Sequence, residues 1–186
     1  MQLTDTSRPS PVFAGLATIE KVAREKVARP LWLAVLAAFS MAACGASSQT
    51  PVSAYELQVS DRVTLAGLLD AQALPQLRDE GVVVVDLRTA EEGVAEEATQ
   101  MKQAGITYYN LPVGRDGLSA DVREKFSALL EEHSGRPVLV HCRSGNRAGL
   151  LWATHLIDEG KTAEEALSVV DGIVTSHGIR GAIKNY

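Results

Sequence analysis

The stretch VLVHCRSGNRAG, residues 138–149, sets a thiol between an apolar, β-branched run and an apolar segment of helical character. His141 precedes Cys142, and Arg143, Ser144, Gly145, Asn146 and Arg147 follow it. A loop that leaves a buried strand and opens a helix presents backbone N–H groups and the positive end of the helix dipole. A cysteine held in that field favours its thiolate, the nucleophilic form. Arg143 and Arg147 add positive charge, and a guanidinium can hold a tetrahedral oxyanion at two points. Gly145 permits the backbone angles that converging N–H groups need. Residues 143–147 therefore form a candidate anion cradle, with Cys142 as candidate nucleophile and a small anionic molecule as the expected substrate.

Such a loop needs a sheet to launch it and helices to close over it. The β-branched run VVVVD (82–86) and the run PVLVH (137–141) read as buried strands; RVTL (62–65) and ITYYN (106–110) read as shorter ones. Residues 71–80 read as a helix stopped by Gly81. Thr89 with Glu92 forms a capping box, which predicts a helix from Thr89 to about Ala104. Ser119 is placed to cap a helix whose Val122, Phe126, Leu129 and Leu130 face a core. Further helices are expected from Arg147 to Asp158, from a second capping box at Thr162 and Glu165 to about Val170, and near 178–185. Strands alternating with helices predict an α/β fold, a mostly parallel central sheet flanked by helices. The acidic run within 89–98 reads as a solvated helix face whose charges suit the helix N-terminus.

Composition narrows the function classes. The chain has 186 residues, 46% hydrophobic and 22% charged, with a net charge of -5. That balance lacks the basic stripe of a nucleic-acid binder. The four histidines, His133, His141, His155 and His177, are scattered, and no Cys/His group has metal-ligand spacing, so neither a metal nor a cofactor is expected.

The N-terminal part has a different logic. Lys21, Arg24, Lys26 and Arg29 precede an uncharged apolar run from Leu31 to Ala43, which ends in small residues before Cys44. That is the plan of a secretory signal, and a run of this length is short for a membrane span of roughly 20 residues. The expected organisation is an N-terminal extension and signal peptide over 1–43, Cys44 and a tether over 44–54, and a catalytic domain over 55–186. MAAC-G at 41–45 resembles a bacterial lipobox. The resemblance implies lipidation at Cys44 and an exported protein anchored by lipid to the periplasmic face of a bacterial membrane.

VHCRSGNRAG resembles the signature of the protein tyrosine and dual-specificity phosphatases, His-Cys-x-x-Gly-x-x-Arg-Ser/Thr-Gly. The upstream order of elements from VVVVDLRTAEEG to VLVHC is similar too. More narrowly, the chain resembles the bacterial beta-lactamase hydrolase-like protein phosphatase-like family over roughly Val63 to Lys184. The resemblance implies a cysteine-phosphatase-like fold and hydrolysis of phosphate monoesters through a thiophosphate on Cys142. It implies that Arg147 holds the equatorial oxygens, that Asp116 protonates the leaving oxygen, and that His141 orients the thiolate's surroundings. Two features depart from the pattern: four residues rather than five separate Cys142 from Arg147, and Ala148 stands where a Ser or Thr is usual. The shorter loop resembles that of rhodanese-type sulfurtransferases, which implies an alternative, sulfur transfer through a Cys142 persulfide. A non-catalytic anion-binding module is the other alternative.

Overall fold

The computed structural model describes residues 51–186; the signal-like segment 1–43, Cys44 and the tether up to residue 50 lie outside the described residues. Strands β1 (Glu56–Gln58), β2 (Val63–Ala66), β3 (Val83–Asp86), β4 (Thr107–Asn110) and β5 (Val138–His141) form one sheet in the order β1-β2-β5-β3-β4. β2, β5, β3 and β4 run parallel, and β1 joins the edge antiparallel to β2. The expected mostly parallel sheet flanked by helices is thus the observed one. β5 lies at its centre, with β3 on one side and β2 on the other.

Strands β3 and β5 are buried along their whole length because helices cover both faces. Alternate residues point to opposite faces. Val83, Val85, Leu87, Val138, Val140 and Cys142 share a core with Phe126 and Leu151 of helices α3 (Ala120–Glu132) and α4 (Asn146–Asp158). Val82, Val84 and Leu139 share the other with Leu77 and Met101 of α1 (Leu74–Asp79) and α2 (Val94–Ala104). Helices α5 (Ala163–Val169) and α6 (His177–Lys184) complete the first side. Phe126 and Leu151 are wholly buried, and truncation of such a side chain typically costs about 2–5 kcal/mol. Among the described residues no helix is long and apolar enough to cross a membrane.

Two local expectations are corrected. The capping box at Thr89 and Glu92 closes only a 3-10 turn, Ala90–Glu92. Gly93, with φ 88°, then breaks the path, and α2 starts afresh at Val94. The helix expected over 71–80 is likewise a 3-10 turn, Ala71–Ala73, that leads into α1 with Pro75 in its first turn. β1 carried too little alternating pattern to be expected at all. Val52 and Ser53, inside the segment read as tether, are buried and pair with the domain: the Asp70 N–H donates to the Val52 carbonyl at 2.9 Å.

Candidate active site

Cys142 follows the last residue of β5, and Asn146 opens α4, so the residues between them make the turn from sheet to helix. Gly145 has φ 81°, a left-handed conformation that L side chains resist. A Cβ there would also lie 2.4 Å from Ile173 Cγ1, so the site admits glycine on two grounds. The first hydrogen bond of α4 is from the Gly149 N–H to the Gly145 carbonyl, at 2.8 Å. The N–H groups of Asn146, Arg147 and Ala148 precede it and have no acceptor within the helix. They are the donors that an anion in front of the loop meets.

The turn is tied to β2 on one flank. The Cys142 N–H donates to the Ala66 carbonyl, and the Leu68 N–H to the Arg143 carbonyl, each at 3.3 Å. Gly67 pairs with Ser144 as an isolated bridge. Cys142 itself is 1% exposed, at the floor of the turn.

Arg147 reaches over the thiol. Its guanidinium lies within reach of Cys142, and Glu92 holds it by an ion pair. Nη1 donates to Glu92 Oε2 at 2.8 Å and Nη2 to Oε1 at 2.7 Å. Nη1 also points at the carbonyls of Leu87 (3.2 Å) and Val113 (3.1 Å). The hydrogen bonds from Arg147 hold the Glu92 carboxyl down at about 2, against the opposing effect of burial. The same pairing, with the nearby Cys142, raises Arg147.

The other expected site residues fall as follows. Arg143 and Ser144 are exposed on the turn. The Asn146 amide is spent within the protein: Nδ2 donates to Ser144 Oγ and Thr175 Oγ1, and Oδ1 accepts from the N–H groups of Thr175 and Ser176. Its side chain is therefore not turned to a ligand. Asp116 is exposed in a tight turn in which the Gly117 N–H returns to the Gly114 carbonyl at 3.3 Å. A cleft of about 510 Å³ leads to Arg147 between Thr89, Glu91, Glu92, Val113, Gly114 and Arg115, and Asp116 stands outside that lining. A second cleft, of about 530 Å³, lies across the Glu91–Glu92 turn and contains Arg143, Arg88, Glu96 and Glu97.

His141 is wholly buried on the sheet face opposite Cys142, as strand alternation requires. Its Nε2 sits 2.8 Å from Glu97 Oε1 and 3.7 Å from Asp86 Oδ1; the Glu97 approach is close but not aligned as a hydrogen bond. Arg88 binds both oxygens of Asp86, at 3.0, 3.2 and 2.8 Å, and Glu97 Oε2 at 2.5 Å. The Tyr108 hydroxyl adds a 2.7 Å bond to Asp86. Burial pushes Asp86 upward, but the bonds from Arg88, with His141 and Tyr108 nearby, bring it below its ordinary value on balance. Asp86, Glu97 and His141 bring donor atoms within 4.8 Å of one another, a spacing a metal could use. The Arg88 guanidinium already occupies both Asp86 oxygens and one of Glu97, so the residues present do not fit a cation there.

The acidic run 89–98 is thus not simply a solvated face. Glu91 and Glu96 are exposed, whereas Glu92 and Glu97 turn inward to Arg147 and to Arg88 with His141. Sequence reasoning missed these partners. The available signal was two pairs of glutamates on either side of Gly93, close after Asp86 and Arg88 at the end of a buried strand.

Solved structures share this architecture. A candidate phosphatase from Neisseria meningitidis matches with 23% identity and a TM-score of 0.58, over 69% of this chain and 96% of its own. A candidate phosphatase (DUF442) from Shewanella putrefaciens matches with 22% identity and a TM-score of 0.57, over 72% and 88%. Tk-PTP in its active form matches with 19% identity and a TM-score of 0.59, over 71% and 97%. At these identities the similarity is one of fold, that of the cysteine phosphatases. No curated protein matches the chain. A family model does match, over residues 54–157, the stretch that carries β1 to β5, the Glu92 turn, Cys142 and Arg147. The chain belongs to the family described as beta-lactamase hydrolase-like protein, phosphatase-like domain.

Proposed function

We propose that this protein is an exported cysteine phosphatase that hydrolyses phosphate monoesters through Cys142. The observation that carries the reading is the meeting of three groups at one point: the Cys142 thiol, the unpaired N–H groups that open α4, and the Arg147 fork. A phosphate group in the cradle takes N–H donors and a guanidinium on its oxygens, which offsets the charge that builds up during transfer. The Cys142 thiolate attacks phosphorus; an S–P bond forms, and the ester P–O bond breaks with its electron pair going to the leaving oxygen. Asp116 supplies a proton to that oxygen. Water then attacks the thiophosphate, releases inorganic phosphate and returns the thiolate. Glu92 is not the acid, because Arg147 keeps it ionised down to about pH 2. Asp116 must therefore approach by movement of its exposed turn.

Export through the segment 1–43, with a lipid anchor at Cys44, belongs to the same proposal and rests on the sequence pattern. It places the cradle outside the cytoplasm, facing small anionic substrates. The paired test is hydrolysis of p-nitrophenyl phosphate by the full chain and by Cys142→Ser, with mass spectrometry of the quenched enzyme. Turnover with a phosphoryl mass on the Cys142 peptide is expected. Absence of both from an enzyme that binds phosphate overturns the proposal.

A second reading is favoured by two observations. The turn from Cys142 to Arg147 is a residue short for a phosphatase, and Asp116 stands outside the cleft that leads to Arg147. Sulfur transfer through a Cys142 persulfide needs no acid for a leaving oxygen. A sulfane sulfur mass on Cys142 after thiosulfate, with cyanide accepting it, is the outcome that selects this reading.

A further inference from the structure

We propose that Asn146 is a positioning residue, which makes the C-terminal segment 173–176 a wall of the anion cradle. The inference rests on the cradle of the proposed function, but it concerns how that cradle is held. The segment lies beyond residue 157, where the family match ends.

The primary amide of Asn146 has two donor hydrogens and two acceptor lone pairs. All four are used. Nδ2 donates to Ser144 Oγ at 3.1 Å, inside the turn, and to Thr175 Oγ1 at 3.3 Å, outside it. Oδ1 accepts from the Thr175 N–H at 3.0 Å and the Ser176 N–H at 2.8 Å. One side chain therefore links the cradle turn to two consecutive peptide groups that are 29 and 30 residues away.

The apolar contacts agree with the polar ones. Ile173 and Val174 are buried, and they fill the space that side chains at 145 and 149 would need. A Cβ on Gly145 would meet Ile173 Cδ1 at 2.5 Å, and one on Gly149 would meet Val174 Cγ2 at 2.2 Å. On its other flank the turn is tied to β2 through Ala66, Gly67 and Leu68. The short turn is held from both sides, and the N–H groups of Asn146, Arg147 and Ala148 take their direction from that clamp. Anion affinity and the order of the Thr175–Ser176 peptides are then coupled, and the coupling is reciprocal.

The test uses the full chain and reads alkylation of the Cys142 peptide by iodoacetamide, by mass spectrometry, across a series of inorganic phosphate concentrations. Thiosulfate is run in parallel. Ser176 has φ −75°, within the range of proline, so Ser176→Pro removes the N–H that Oδ1 accepts and sets a ring methylene against Oδ1 in its place. Ser176→Ala is its reference: it loses the same capping hydroxyl but keeps the N–H. Relative to Ser176→Ala, the proline variant is expected to need about tenfold more anion for half-protection, the weight of a single hydrogen bond. Asn146→Ala is expected to lose at least as much. If Asn146→Ala weakens protection and Ser176→Pro matches Ser176→Ala, then Asn146 touches the anion directly and the inference falls.

A measurement on the unaltered protein guards against a misfolded variant. Saturating phosphate or thiosulfate should slow hydrogen exchange at the Thr175 and Ser176 amides. Exchange that does not respond to an anion that protects Cys142 overturns the inference. It also falls if neither anion protects Cys142. Failure to hydrolyse p-nitrophenyl phosphate, with anion protection and its coupling intact, sinks only the proposed phosphatase activity.

Discussion

Glu92 grips Arg147 with both carboxylate oxygens, at 2.7 and 2.8 Å, while it also accepts the Thr89 N–H at 2.9 Å. One side chain thus ends the turn after β3 and fixes the arginine beside Cys142. The arrangement has a pH signature. Glu92 titrates at about 2 in the folded chain, against an ordinary value of 4.5. Its stabilising contribution is present in full above about 4.5 and is lost as the pH falls through about 2. Glu92→Gln should flatten the loss of stability over that window. Urea midpoints measured at several pH values check this; parallel curves for both proteins would contradict it.

Arg147→Lys keeps a positive charge but gives up the planar fork. Two of its present acceptors are the carbonyls of Leu87 and Val113, which a single ammonium cannot satisfy together with both Glu92 oxygens. Phosphatase turnover should fall by about 10²-fold, within the range seen when one oxyanion donor is removed. The melting temperature, followed by circular dichroism, should change little by comparison. A variant with unaltered kcat/KM would show that Arg147 does not reach the reacting group.

The buried cluster behind the site makes a separate stability prediction. Arg88 and Asp86 are 5% and 0% exposed, and the guanidinium answers both carboxylate oxygens. Arg88→Met leaves that carboxylate with the Tyr108 hydroxyl and the backbone N–H of residue 88, but with no guanidinium against its charge. Breaking a buried pair from one side typically costs about 3–5 kcal/mol. The double variant Arg88→Met with Asp86→Leu should recover much of the loss, because it removes the stranded charge. Denaturant unfolding of the two variants distinguishes this from a loss of packing alone.

The contrast between the two halves of the site explains what was legible in the sequence. The β-branched runs at 82–86 and 137–141 and the pattern Cys-x4-Arg are local, so the strand, the turn and the opening of α4 follow from neighbouring residues. Glu92, Glu97 and Asn146 act on partners 55, 44 and 29 residues away in the chain, and the glutamate pairs flanking Gly93 mark the place without naming those partners. The capping box at Thr89 is a case of partial legibility. Its hydrogen bonds form, but Gly93 ends the helix it should have opened, and the freed geometry aims Glu92 at Arg147.

Gly149 lies within α4, where alanine would ordinarily stabilise the helix. Here a Cβ would sit 2.2 Å from Val174 Cγ2, so Gly149→Ala should destabilise the protein by about 1–3 kcal/mol, the range for overpacking a core. Val174→Ala should also cost stability, through a cavity. The two together should cost less than their sum, because each removes the other's conflict. A thermal-denaturation cycle of the four proteins measures the coupling. Strict additivity would mean that the segment after α5 moves away freely and does not press on α4.

Asp116 gives the sharpest division between the two chemistries. It stands in the exposed Gly114–Gly117 turn, next to Gly114 and Arg115, which do line the cleft leading to Arg147. The proposed mechanism requires a movement of that turn to bring the carboxyl to the leaving oxygen. If that movement accompanies turnover, Asp116→Asn should slow hydrolysis of alkyl phosphates by about 10²–10⁴, the usual share of general acid catalysis. p-Nitrophenyl phosphate should be nearly indifferent, because its leaving group departs without a proton. The ratio of the two rates is the measurement, since it cancels differences in active-enzyme concentration. An unchanged ratio removes Asp116 from the mechanism. An unchanged ratio together with cyanide-dependent sulfur release from Cys142 assigns the short turn to sulfur transfer instead.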